Sequence, residues 1–148
     1  MTDPHDPREQ MFIQTRPWGQ FEQFVSNETV TVKIITVLPG HRLSLQTHNH
    51  RGEFWHILDV PLDIEVDDRR WVAGPGEDVW VPQHSIHRIG NSGDRSGRVL
   101  EIALGDFDEA DISRIDDDYA RHAEEDEVTK ADVVTEADVV SEGDADQR

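Results

Sequence analysis

The stretch HRLSLQTHNHRGEFW, residues 41–55, carries the strongest structural signal in the sequence. Apolar and polar side chains alternate along it, and side chains of a β-strand point alternately to its two faces. The pattern therefore predicts a strand over residues 43–50. The polar face of that strand is predicted to carry Gln46, His48 and His50.

Short runs of β-branched and aromatic residues continue on both sides of this stretch, separated by glycine and proline turn signals. This pattern favours an all-β sandwich or barrel over a helical domain. The predicted strands span 21–25, 29–38, 43–50, 53–59, 62–66, 69–72, 78–81, 86–89 and 98–104. A single helix is predicted over 108–121, because Ile112, Ile115 and Tyr119 recur at spacings of three and four residues.

The length of 148 residues suits one domain with one core. We expect an N-terminal extension over 1–15, the β domain over 16–122, and an acidic tail over 123–148. The tail contains the near-repeats TKADVV, TEADVV and SEGDAD, which have too few large apolar residues to build a core. It is expected to be disordered or loosely helical.

The charge composition excludes several classes of function. With 32 acidic and 14 basic residues the formal net charge is -18, which disfavours binding to nucleic acid and to anionic membranes. The chain has no cysteine, so a thiolate nucleophile and a cysteine-ligated metal are excluded. Only two of the basic residues are lysines, and this composition is typical of a salt-adapted protein.

The sequence also predicts a cytoplasmic location. The N-terminus MTDPHDPREQ is charged and lacks the apolar stretch of a secretion signal. No apolar run approaches the roughly 20 residues of a membrane span.

The polar face of the predicted strand over 43–50 suggests a metal site. An amide, one or two imidazoles and the carboxylate of Glu53 form a donor set that suits zinc, iron, cobalt or manganese. A further ligand is expected from another strand. His87 is the natural candidate, because a turn, a short apolar strand and the corner at Pro82 deliver it to the start of the next strand.

Two spaced motifs resemble those of the cupin superfamily. From Gly40, five residues lead to Gln46, followed by His48 and Glu53; from Gly76, five residues lead to Pro82, four more to His87, and three more to Asn91. The resemblance implies a double-stranded β-helix, or jelly-roll barrel, with Gln46, His48, Glu53 and His87 as metal ligands. The departures are Val60 and His84 at usual glycines, and Phe54 at a common histidine.

Within the cupins, four segments are similar to type II phosphomannose isomerases: RPWG at 16–19, residues 37–55, VPQHSIHRIGN at 81–91 and LEIALG at 100–105. The resemblance implies interconversion of mannose 6-phosphate and fructose 6-phosphate through an enediol. A divalent metal ion, with zinc favoured over iron, cobalt or manganese, would serve as Lewis acid.

If the chain catalyses this isomerisation, several other polar residues have expected roles. His50 or Glu101 would act as the general base. Arg51, Arg88 and Lys33 would bind the phosphate. Two alternatives to catalysis stay open for His50: a position at the surface or behind the ligands, and ligation of the metal in place of Gln46.

Two other functions stay open. One is a sugar-phosphate or nucleotide-sugar binding cupin without catalysis, serving as an accessory or sensor subunit. The other is an iron-dependent cupin dioxygenase, which a ligand set of His48, His50 and His87 would favour. The expected partners are a small sugar phosphate and a second copy of the chain in a homodimer, with no nucleic acid and no membrane.

Overall fold

A computed structural model describes residues 6–121 and 129–135. It begins with a short 3₁₀ helix at Pro7–Gln10. The strands are, in chain order, β1 (Phe12–Arg16), β2 (Gly19–Gln23), β3 (Val30–Val37), β4 (Leu45–Thr47), β5 (Arg51–Ile57), β6 (Leu62–Val66), β7 (Arg69–Ala73), β8 (Asp78–Val81), β9 (His87–Gly90), β10 (Gly97–Gly105) and β11 (Ser113–Asp116).

The strands form a hairpin and two larger antiparallel sheets. β1 pairs with β2 in the hairpin. The order is β3-β10-β5-β8 in the four-stranded sheet and β11-β4-β9-β6-β7 in the five-stranded sheet. Buried side chains from both larger sheets join a single apolar cluster, so the two sheets face each other across one core. The all-β prediction is confirmed.

Alternation along the strands explains how this core forms. In β6, Leu62, Ile64 and Val66 are buried, whereas Asp63 and Glu65 between them are partly exposed. Burial on one face fixes the register, because a slip of one residue would turn the apolar set toward solvent.

The prediction of a helix over 108–121 is wrong. The segment contains two turns and the strand β11, which pairs with β4. Its aspartates accept hydrogen bonds from nearby backbone N–H groups, Asp108 from Ala110 and Asp117 from Arg121, which competes with helix formation. Ile115 and Tyr119 are 56% and 49% exposed, whereas Ile112 is half-buried, so the three residues do not form one apolar stripe.

The two ends of the chain bear on the predicted domain bounds. Strand β1 begins at Phe12, inside the segment predicted as an N-terminal extension. The predicted acidic tail lies outside the described residues except for 129–135, which are exposed and have no regular secondary structure.

Among the described residues, no helix has the length and apolar character needed to cross a membrane.

Candidate functional site

Two histidines and one glutamate converge inside the barrel. His48 follows β4, Glu53 lies on β5 and His87 begins β9, and each is at most 2% exposed. Nε2 of His48 lies 3.2 Å from Oε1 of Glu53, and Nε2 of His87 lies 3.8 Å from Oε2 of Glu53. The two Nε2 atoms are 3.2 Å apart. Three side chains from separate strands thus present ligand atoms to one point.

Both histidines are oriented by hydrogen bonds from their other ring nitrogen. Nδ1 of His48 donates to the backbone oxygen of Asp111 at 2.7 Å, and Nδ1 of His87 donates to that of Ser85 at 2.9 Å. A carbonyl oxygen only accepts, so each Nδ1 carries the hydrogen and each Nε2 of a neutral ring presents a lone pair. Two lone pairs 3.2 Å apart require a shared proton or a cation, and this arrangement fits a divalent metal ion.

The charge states of these residues also suit a metal. Burial by itself raises the pKa of Glu53, but the hydrogen bond with His48 and the proximity of His87 reverse the effect and hold that pKa below its usual range. Burial lowers the pKa of His87. An ionised carboxylate beside a neutral imidazole is the state in which both groups bind metals. Nε1 of Trp55 donates to Oε2 of Glu53 at 3.0 Å and fixes the carboxylate.

Gln46, the fourth predicted ligand, lies directly opposite His87 in the pairing of β4 with β9. Its side chain lines the same cavity as Glu53, and its Oε1 accepts a hydrogen bond from Oγ of Ser44 at 2.8 Å. The amide of Gln46 thus lies at the cavity, with its oxygen held by Ser44.

The cavity beside the cluster has a volume of about 560 Å³. This is within the usual range for small-molecule sites, roughly 300–1,000 Å³. Its lining includes four basic side chains, Lys33, Arg51, Arg114 and Arg121; three acids, Glu53, Glu101 and Glu109; and Gln46, Ile35, Leu43, Trp55 and Ile112. Basic groups thus slightly outnumber acidic groups in this cavity, whereas acids outnumber bases by more than two to one in the chain as a whole.

Glu101 lies in this cavity on β10, between Lys33 and Trp55 in the register of the sheet. Burial raises the pKa of Glu101 to about 8, and the negative charge of Glu53 and a hydrogen bond with it act in the same direction. The structure thus places Glu101 beside the candidate ligands.

Arg51 contacts the cluster directly. Its Nε donates to Oε1 of Glu53 at 3.2 Å, and a terminal nitrogen lies 3.2 Å from Nε2 of His48. Its guanidinium and the ammonium of Lys33 both lie over the ring of Phe107, at 4.4 and 4.1 Å from the ring centroid. Nζ of Lys33 also donates to Glu109.

His50 is not part of the cluster, and the prediction that it shares a face with His48 is wrong. β4 ends at Thr47, and the chain then turns, so strand alternation no longer applies at position 50. The side chain of His50 is 66% exposed, and its Nδ1 lies 3.3 Å from Oδ2 of Asp111. The three-histidine ligand set of a dioxygenase is therefore not formed.

Arg88 also lies outside this cavity, contrary to its predicted role in phosphate binding. It follows His87 on β9, so its side chain points to the opposite face of the sheet. There it is 7% exposed and donates to Oδ2 of Asp116 at 2.8 Å. It lines a different cavity of about 630 Å³, together with Arg42 and Arg70.

Sequence reasoning missed Arg114 and Arg121. Arg114 pairs with Gln46 between β11 and β4, and Arg121 is bonded to Asp117. The available signal was the presence of two arginines in the very acidic segment 106–121. The prediction of a helix there did not place their side chains in the barrel cavity.

His84 stands where cupins usually have a glycine, and it has the left-handed backbone that glycine favours, with φ of 70°.

The comparisons with known proteins agree with this architecture. The family model described as mannose-6-phosphate isomerase C-terminal matches residues 5–117. The chain belongs to this family. In the alginate biosynthesis protein AlgA of Pseudomonas aeruginosa, 110 residues are 36% identical, covering 74% of this chain and 23% of that protein. In the mannose-1-phosphate guanylyltransferase ManC of Salmonella typhimurium, 107 residues are 32% identical, covering 72% and 22%. The domain thus spans under a quarter of these relatives.

Solved structures show the same fold. The capsular polysaccharide assembling protein CapF of Staphylococcus aureus superimposes with a TM-score of 0.53 and 18% identity, over 72% of this chain and 32% of that chain. A Klebsiella pneumoniae protein with a double-stranded β-helix domain superimposes with a TM-score of 0.52 and 14% identity, over 60% and 76%. Because these identities are below 20%, the two structures support the cupin fold of this chain and no statement about its function.

Proposed function

We propose that this cupin domain is a metal-dependent aldose-ketose isomerase that interconverts mannose 6-phosphate and fructose 6-phosphate. The observation that carries the proposal is the convergence of His48, Glu53 and His87, of which Glu53 also lines a cavity with four basic residues. In a chain with 32 acids and 14 bases, such a cavity suits an anionic ligand. The family match and the mannose-phosphate chemistry named for ManC support the choice of sugar.

His48, Glu53 and His87 are the residues that would hold the metal ion, with Gln46 beside them. When bound there, a divalent ion supplies Lewis-acid stabilisation of the charge that develops on the sugar oxygens. Trp55 and the backbone oxygens of Ser85 and Asp111 hold the three ligands in place.

Proton transfer between C1 and C2 needs a group inside the cavity. Glu101 meets this requirement, because it lines the cavity and is hydrogen-bonded to Glu53. His50 does not, since its ring is exposed on the outside of the turn. We therefore assign the proton transfer to Glu101, whose carboxylate form would take the proton from one carbon and return it to the other.

The phosphate is assigned to the basic side of the cavity. Arg114 and Arg121 come from the C-terminal segment, and Lys33 and Arg51 come from β3 and β5. Arginine can hold a phosphate through two parallel hydrogen bonds, and this geometry also orients the sugar relative to the metal ligands.

The direct test is a coupled assay with mannose 6-phosphate at high salt, with zinc and with chelator. Turnover should be lost with chelator and in His87→Ala and Glu53→Gln. Asp94→Asn, which removes an exposed carboxylate that does not line the cavity, is the control and should retain turnover. Turnover that survives chelation would refute the metal-dependent mechanism.

One contact favours a second candidate function, a sugar-phosphate binding cupin without catalysis. The guanidinium of Arg51 already contacts both Nε2 of His48 and Oε1 of Glu53, where it supplies a positive charge to the ligand atoms. A protein that relied on this arginine in place of a metal would bind sugar phosphates without converting them.

Calorimetry separates the two functions. The isomerase is expected to bind zinc with an affinity that falls in His87→Ala. The binding protein is expected to bind mannose 6-phosphate with equal affinity in the presence of zinc or of chelator, with no fructose 6-phosphate formed. That second result would replace the isomerase with the binding function.

A further inference from the structure

A second group of metal-binding side chains lies on the outer face of the four-stranded sheet. His56 lies between the core residues Trp55 and Ile57 on β5, so its ring points away from the core. Asp78 on β8 lies directly opposite it in the register. Nδ1 of His56 donates to Oδ1 of Asp78 at 2.5 Å.

The third member, Glu22, comes from the hairpin. Its carboxyl group is hydrogen-bonded to Asp78, which raises the pKa of Glu22 to about 7. Each of Glu22, His56 and Asp78 offers one ligand atom, and these atoms lie within 4.8 Å of one another. Among the described residues, this group and the barrel cluster are the two groups of three that meet this condition.

The arrangement differs from a set of solvated surface acids. Its members come from three strands, β2, β5 and β8, and one of them is an imidazole. The ring of Phe24 packs edge-on against His56, with 5.3 Å between centroids. Two carboxyl groups at hydrogen-bond distance must share either a proton or a cation.

We propose that Glu22, His56 and Asp78 form a second divalent-metal site, which joins the hairpin to the barrel. One imidazole and two carboxylates suit a borderline ion such as zinc. The ion takes the place of the protons held between these groups. The side chains of His56 and Asp78 are 19% and 26% exposed, which leaves a route for the ion from solvent.

The hairpin is the element that such an ion would stabilise. Neither β1 nor β2 has a fully buried side chain, so apolar packing holds the hairpin weakly. The contact of Glu22 with Asp78 is a polar attachment of the hairpin to the barrel. A metal ion bound by Glu22 and by two barrel strands would therefore reduce opening of the hairpin.

Zinc stoichiometry tests the site. Equilibrium dialysis of the full chain at micromolar zinc should give two equivalents for the wild type and for the charge-matched control Asp94→Asn. Glu22→Gln and His56→Gln should each bind one equivalent, and His87→Ala should also bind one. A wild type that binds a single equivalent, lost in His87→Ala and retained in Glu22→Gln, would overturn the proposal.

Hydrogen exchange identifies which site holds the remaining ion. In His87→Ala, zinc should slow amide exchange in residues 12–23 by about tenfold or more, whereas in Glu22→Gln it should have no effect there. Equal exchange in the two variants would refute the hairpin site. Because His87→Ala lacks the barrel site, this result is independent of the proposed isomerase function.

Discussion

Nδ1 of His48 donates a hydrogen bond to the backbone oxygen of Asp111 at 2.7 Å, across 63 positions of sequence. The carboxylate of Asp111 accepts the backbone N–H groups of Asn49 and His50 at 3.0 and 2.9 Å. One residue of the C-terminal segment thus holds both the ring of a candidate metal ligand and the turn that follows it.

This relationship predicts that Asp111→Ala weakens metal binding without removing a ligand. The carboxylate fixes the position of its own backbone oxygen, so its loss releases the ring of His48. Loss of such an orienting contact typically costs 10–100-fold in metal affinity. We expect a decrease of about that size in zinc affinity by calorimetry, and a smaller one for Asp111→Asn, which keeps one acceptor. An unchanged affinity in Asp111→Ala would show that the contact does not orient the ligand.

Glu101→Gln should separate proton transfer from metal binding. The amide can still donate a hydrogen bond to Glu53, but it cannot exchange a proton with the sugar. We expect zinc affinity within about twofold of the wild type, and kcat lower by roughly 10²–10⁴-fold, the usual contribution of a general acid or base. The companion variant His50→Asn should retain turnover. Loss of turnover in His50→Asn with full activity in Glu101→Gln would reverse this assignment.

Substitution of Arg114 should change substrate binding, whereas substitution of Arg88 should change the stability of the fold. Arg114→Gln removes a positive charge from the cavity, so KM for mannose 6-phosphate should rise about tenfold, which corresponds to roughly 1.4 kcal/mol. Arg88→Gln should leave KM unchanged and lower the free energy of unfolding by about 1–3 kcal/mol, because it removes a hydrogen bond to the carboxylate of Asp116. A raised KM in Arg88→Gln alone would indicate that the phosphate binds on the outer face.

Salt should stabilise the fold. Salt weakens both attractive and repulsive surface pairs, but acids exceed bases by 18, so relief of repulsion dominates. Raising KCl from 0.1 to 2 M should raise the Tm by at least about 5 °C, on the order of 1–2 kcal/mol for a domain of this size. Chloride is chosen because it strengthens apolar burial less than sulfate does. A Tm that falls with KCl would show that attractive pairs such as Arg42–Asp118 dominate.

The sequence predicted most of the barrel because its determinants are local. Alternation in β6 and the turns between strands specify the two sheets. The motif spacing selected His48, Glu53 and His87, which the structure brings together, because each is set by its position on its own strand.

The remaining features depend on contacts that local patterns do not contain. The segment 106–121 reads as an amphipathic helix, but the free edge of β4 pairs with it as a strand. His50 leaves the ligand face because Asp111 holds the turn after Thr47. Arg88 follows a ligand in sequence, yet strand alternation sends it to the opposite face, where Asp116 binds it.

The central claim is that His48, Glu53 and His87 hold a divalent metal ion. The most direct measurement is anomalous diffraction at the zinc edge from a crystal grown with zinc. The account predicts a peak inside the barrel about 2.0–2.1 Å from Nε2 of both histidines and at a similar distance from an oxygen of Glu53. A map without a peak at this position, with Arg51 still bonded to His48 and Glu53, would contradict it.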